Sequence, residues 1–116
     1  MSITADLIRG HTDAIILSQL TAGDSYGYSI NRAIRTATEE KYALKEATLY
    51  TAFRRLEEAG YIRSYWGDEE SGARRRYYSI TEAGRTALAQ ARAEWQTAER
   101  LIGRLLTPTD TKGEGL

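Results

Sequence analysis

With 116 residues the chain has room for one modest hydrophobic core and not for two. Its 16 lysines and arginines balance 16 aspartates and glutamates, so overall charge singles out no partner and electrostatic recognition must be local. The absence of cysteine excludes disulfides and thiolate metal sites, and no run approaches the ~20 apolar residues of a membrane span.

The opening "MSITADLIRG" has no basic segment followed by an apolar run, so a cytoplasmic protein without a membrane partner is expected. Leu7, Ile8, Ile15, Ile16, Leu17 and Leu20 predict one helix over about residues 5–21, ended by Ala22, Gly23 and Asp24. Ser25 is placed to cap a second helix running to about residue 38. Its inward face would carry Tyr26, Ile30, Ala33, Ile34 and Ala37. After the loop "TEEKY" a third helix begins near Glu46. Leu49, Ala52, Phe53, Leu56 and Ala59 face inward, and Gly60 stands at the position after the C-cap. The opposite face holds Thr48, Thr51, Arg54, Arg55 and Glu58, with Tyr50 at its edge.

"YIRSYW" and "RRRYYSI" read as two strands around the polar insert "GDEESGA". In the second strand Tyr77 and Ser79 point one way, and Arg76, Tyr78 and Ile80 the other. Thr81 then offers an N-cap, with Glu82 in the first turn of a long helix reaching Leu106. Along it Leu88, Ala91, Trp95, Ala98, Ile102 and Leu105 recur with heptad spacing, a seam suited to a homodimer. Trp95 stands between two alanines. Two such rings near a two-fold axis leave a gap of the kind planar ligands use. The tail, residues 107–116, is polar and expected to fray.

This order defines a mainly α chain with one small β-hairpin. It predicts a winged helix-turn-helix over residues 1–80, a dimerisation helix over 81–106 in the same compact unit, and a flexible tail. In such a fold the third helix enters the major groove. Arg74, Arg75 and Arg76, at the end of the wing loop, can neutralise phosphates or enter a minor groove. His11, the only histidine, reads as structural or exposed. Asp68, Glu69 and Glu70 read as solvated loop carboxylates that oppose phosphates and limit non-specific binding; no histidine or cysteine supports a metal there. No nucleophile–base pair, phosphate loop or cofactor motif is present, so neither an enzyme nor a cofactor is expected. The alternative to a DNA-binding dimer is a winged-helix dimer that acts only as a protein-interaction module.

"SYGYSI", "ATLYTAFRRLEEAGYI", "SYWGD" and "GARRRYYSITEAG" resemble the signature of the PadR family of transcriptional regulators, over about residues 10–106. Within it, "EATLYT", "SYWGD" and the single Trp of the long helix are most similar to the lactococcal multidrug-resistance branch. The resemblance implies a homodimeric repressor on a palindromic operator, released by a flat aromatic effector held between paired tryptophans. Carried onto this chain, Trp95 is the sandwiching residue, and Leu7, Ile15, Leu88, Ala91 and Glu99 line the pocket. Arg92 stands where that branch has a large aromatic residue; Glu99 favours a cation and Arg92 an anion, so both ligand classes stay open. The DNA-contacting positions implied are Lys45, Thr48, Tyr50, Thr51 and Arg54, with Arg74, Arg75 and Arg76 in the wing.

Overall fold

A computed structural model describes residues 2–67 and 74–108. Its elements are α1 (Ile3–Gly10), α2 (Thr12–Leu20), α3 (Gly27–Ala37), α4 (Glu46–Glu58), β1 (Ile62–Trp66), β2 (Arg76–Ile80) and α5 (Glu82–Leu106). The strands pair antiparallel, with Ile62 opposite Ile80 and Trp66 opposite Arg76. Three of the expected features differ in detail.

The single helix expected over residues 5–21 is two helices, broken at His11 (φ −111°, ψ 20°). Side chains satisfy the break. The His11 Nδ1 lies 2.6 Å from the Leu7 carbonyl, and Thr12 Oγ1 donates to the Arg9 carbonyl at 2.7 Å. Thr12 is the one buried polar residue of the described core, and that bond meets its need. Ser2 accepts from the Ala5 N–H and starts α1 as an N-cap.

Ser25 does not cap α3. That role falls to the extended backbone of Tyr26, with no side-chain bond. Ser25 instead exchanges two backbone hydrogen bonds with Tyr78, at 3.1 and 2.8 Å, and so adds a one-residue rung to the hairpin. Ala37 and Ala59 are exposed, not inward-facing, because each sits in the last turn or cap of its helix, beyond the core. Gly60 has φ +80°, the left-handed conformation expected after a helix C-cap.

The core joins one face of every element from α2 onward: Ile16, Leu17, Leu20, Ile30, Ile34, Leu49, Phe53, Leu56, Ile62, Tyr78, Ile80 and Leu88. Phe53 and Tyr78 stack with centroids 3.9 Å apart, which fixes α4 against the hairpin. Asn31 of α3 clamps the loop before α4, giving to the Leu44 carbonyl at 2.7 Å and accepting from its N–H at 2.8 Å. The start of α5 is welded to the hairpin base. Thr81 N donates to the Tyr61 carbonyl at 3.0 Å, and Thr81 Oγ1 to the Gly60 carbonyl at 2.7 Å. A Cβ at Gly84 would lie 2.2 Å from the Tyr61 carbonyl oxygen, so only glycine allows this approach. Leu88 closes the core beneath α2. From Trp95 onward α5 runs beyond it, and Leu101, Ile102, Leu105 and Leu106 are exposed. Among the described residues no helix is long and apolar enough to cross a membrane.

Candidate nucleic-acid interface and effector groove

On α4, Lys45 occupies the N-cap position and, with Tyr50, Thr51 and Arg54, is exposed; Thr48 is half-buried. The Tyr50 ring leans edge-on against Phe53, at 5.4 Å, and packs close to Gly27 at the start of α3. Arg55, one residue after Arg54, is turned the other way. Its Nε donates to Asp13 Oδ2 at 3.0 Å and its Nη2 to Asp13 Oδ1, an ion pair that joins α4 to α2. Hydrogen bonding to that carboxylate, and then its charge, push the Arg55 guanidinium further toward the protonated form.

The wing arginines rest on aromatic rings. Arg74 and Arg76 lie over Trp66, at 5.4 and 5.5 Å from its centroid, and Arg75 lies over Tyr26 at 4.7 Å. Arg76 also donates to Ser64 Oγ at 2.7 Å and stands 3.8 Å from Glu57, so part of its charge is compensated within the protein. Tyr50 and the three arginines line one cleft of about 460 Å³, together with Tyr26, Tyr28 and Trp66. Through Tyr50, α4 thus meets the wing at one basic, aromatic cleft in a chain of zero net charge. Asp68, Glu69 and Glu70 lie outside the described residues.

At the other side of the core, α1, α2 and α5 enclose a groove of about 410 Å³. Leu7, Ile15, Leu88, Ala91, Arg92 and Trp95 all line it, beside Thr4, Ile8, His11, Ala14 and Ser18. Glu99 is not among the lining residues; it is exposed, one turn beyond Trp95. Arg92 Nη2 stands 3.4 Å from Ser18 Oγ and is the cationic group of the lining. A neighbouring hollow of about 560 Å³ shares Leu7, His11, Ala14, Ala91 and Trp95 and continues to Ala98 and Ile102. The Asp13–Arg55 pair lines it as well. Of the heptad positions, Leu88 is only 3 % exposed, Ala91 and Ala98 are half-buried, and Trp95, Ile102 and Leu105 are open.

Sequence reasoning missed three participants. His11 lines both hollows, and nothing in its spacing announced that. Asp13 and Arg55 are 42 residues apart, and no local pattern links them. Trp66 was legible in principle, because pairing the two strands around their turn sets it opposite Arg76. Among the described residues no cluster of histidine, aspartate and glutamate could hold a metal ion.

A three-helix core, a two-stranded wing carrying arginines and a long C-terminal helix together define a winged helix-turn-helix DNA-binding protein. Residues 16–90 match the transcriptional regulator PadR-like family. A transcriptional regulator from Clostridium thermocellum is 49 % identical, spans 88 % of this chain and 99 % of its own, and superimposes with a TM-score of 0.81. A PadR family transcription regulator from Clostridium difficile is 35 % identical over 84 % of this chain and 99 % of its own, with a TM-score of 0.72. An uncharacterised protein of Lysinibacillus sphaericus is 41 % identical over 86 % of this chain and 92 % of its own. The chain belongs to the PadR-like family of transcriptional regulators: it is a DNA-binding regulator and not an enzyme.

Proposed function

We propose that the chain is a cytoplasmic homodimeric repressor of the multidrug-resistance branch. In this reading residues 1–80 bind a palindromic operator, the α5 seam pairs two copies, and a planar aromatic effector in the Trp95 groove releases the DNA. One observation carries the effector half. Six of the seven side chains assigned to the pocket, from Leu7 on α1 to Trp95 on α5, line a single groove beside the exposed stretch of α5. Arg92 lines that groove and Glu99 does not, which favours neutral or anionic planar ligands over cations.

For the DNA half, Lys45, Thr48, Tyr50, Thr51 and Arg54 approach the major groove, and Arg74, Arg75 and Arg76 approach the backbone. The cleft shared by Tyr50 and the arginines supports this. Two reading helices must then sit about one duplex turn apart, ~34 Å. A ligand held between paired α5 helices stabilises a spacing that mismatches the DNA. It shifts the equilibrium only by its differential affinity for the two spacings, so release is graded.

The test is a fluorescence-anisotropy titration of labelled duplex, repeated over a salt series, for the parent chain and for Arg75→Ala. Loss of one phosphate contact lowers the slope of log affinity against log salt by about 0.9. An unchanged affinity and slope would remove the wing from the interface. Adding planar aromatic anions, neutral compounds and cations to the preformed complex then reads effector release directly.

A further inference from the structure

Trp66 ends β1, is 52 % exposed, and lines the basic cleft without an assigned contact to DNA. An indole left half in water on a DNA-facing wing calls for a reason, and its neighbours supply one. Arg74 and Arg76, two residues apart, both lie over its ring at 5.4 and 5.5 Å, inside the ~6 Å reach of a cation–π contact. Arg76 is also its cross-strand partner, so the hairpin register itself brings ring and guanidinium together.

The chemistry of arginine makes this contact compatible with DNA binding. A guanidinium is planar: it stacks through its face and donates hydrogen bonds through its edge. A ring beneath it therefore leaves N–H groups for phosphate oxygens, on Arg76 those other than the one that Nη2 gives to Ser64 Oγ. It also removes rotamer freedom that a long side chain would otherwise lose on binding.

We propose that Trp66 is the positioning residue of the wing: its indole holds Arg74 and Arg76 in place so that their N–H edges meet the phosphate backbone of duplex DNA. The inference rests on the reading of the wing arginines as phosphate contacts. It adds a residue whose own charge is zero and whose effect passes through two others.

The experiment uses the full chain and a labelled mixed-sequence duplex at low salt. Trp66→Ala weakens binding roughly five- to thirtyfold, the scale of two exposed cation–π contacts, with the thermal midpoint unchanged. Trp66→Phe recovers most of that loss, because a ring face remains. In an Arg74→Ala/Arg76→Ala background, Trp66→Ala has no further effect. A full effect in that background would mean that Trp66 touches DNA itself, and no effect in the parent would mean that the arginines hold themselves; either overturns the proposal.

A second readout separates the proposal from the reading beneath it. In a Trp95→Phe chain without DNA, Trp66 is the sole indole, and removing Arg74 and Arg76 shifts its emission. An unshifted emission overturns the positioning contact. A shifted emission, with DNA affinity indifferent to the double arginine variant, overturns the phosphate reading and the proposal with it.

Discussion

His11 and Trp95 meet edge to face, their ring centroids 5.1 Å apart and their planes at 79°. The contact ties the joint between α1 and α2 to the middle of α5. Because a carbonyl only accepts, His11 Nδ1 carries the hydrogen it shares with Leu7. The ring is thereby fixed against α1 while its edge meets the indole. Moving α5 relative to the α1–α2 joint disturbs this pair.

The pair gives the groove an optical reporter. In a Trp66→Phe chain, His11→Leu shifts the emission of Trp95 before any ligand is added. Titration of the same chain with a planar aromatic anion quenches Trp95 saturably, at one ligand per dimer. Absence of quenching by anions, neutral compounds and cations alike would leave Trp95 as ordinary packing.

Leu88 and Leu105 occupy the same heptad seam but have opposite environments, 3 % and 79 % exposed. Leu88→Ala opens a cavity in the core and costs about 2–5 kcal/mol of stability. Leu105→Ala leaves the fold of each chain intact within about 0.5 kcal/mol but weakens pairing. Urea midpoints measured over a range of protein concentrations separate the two. The first shifts at every concentration, and the second shifts most where the dimer dissociates.

Arg54 and Arg55 are adjacent in sequence and divided in role. Arg55→Ala breaks the pair with Asp13, whose side chains are both about half exposed, so it costs about 0–1 kcal/mol. It leaves the salt dependence of DNA binding unchanged. Arg54→Ala leaves stability unchanged and lowers the salt slope by about 0.9. Anisotropy over a salt series, with urea denaturation beside it, checks both.

Burial pushes the Tyr78 hydroxyl above the ordinary tyrosine value, and the nearby Arg76 charge opposes this. A raised folded value means that the folded state favours the neutral phenol. Its contribution to stability is therefore fully present below the unfolded value, about 10, and is lost as pH climbs through the raised folded value. Urea midpoints of the parent chain fall over that alkaline range. Tyr78→Phe, which cannot ionise, falls less steeply.

The order of elements was legible because each strong signal was local. Gly60, Thr81 and the apolar spacing of Leu49, Phe53 and Leu56 each act within a turn or two of their own position. What escaped was set by partners distant in sequence. Ser25 looks like a cap until Tyr78 takes its backbone into the sheet, and the helix break at His11 had one cue, Gly10 just before it, which the apolar spacing on either side outweighed. The groove was legible only in part. Leu7, Ile15 and Trp95 were expected together, whereas His11 had no sequence signal, and Glu99, on the same helix as Trp95, stays outside the lining.

The weld at Gly84 leaves α5 anchored at one end and unsupported at the other. Its first two turns share a joint with the wing, through Tyr61, Thr81 and Leu88, and cannot change without moving the hairpin. Its last two turns hold Leu101, Ile102, Leu105 and Leu106 exposed, outside the described core. The two halves of one helix therefore differ in how far they tolerate substitution. In the proposed dimer, substitutions at Ile102 and Leu105 alter the pairing seam while the reading surface stays as it is.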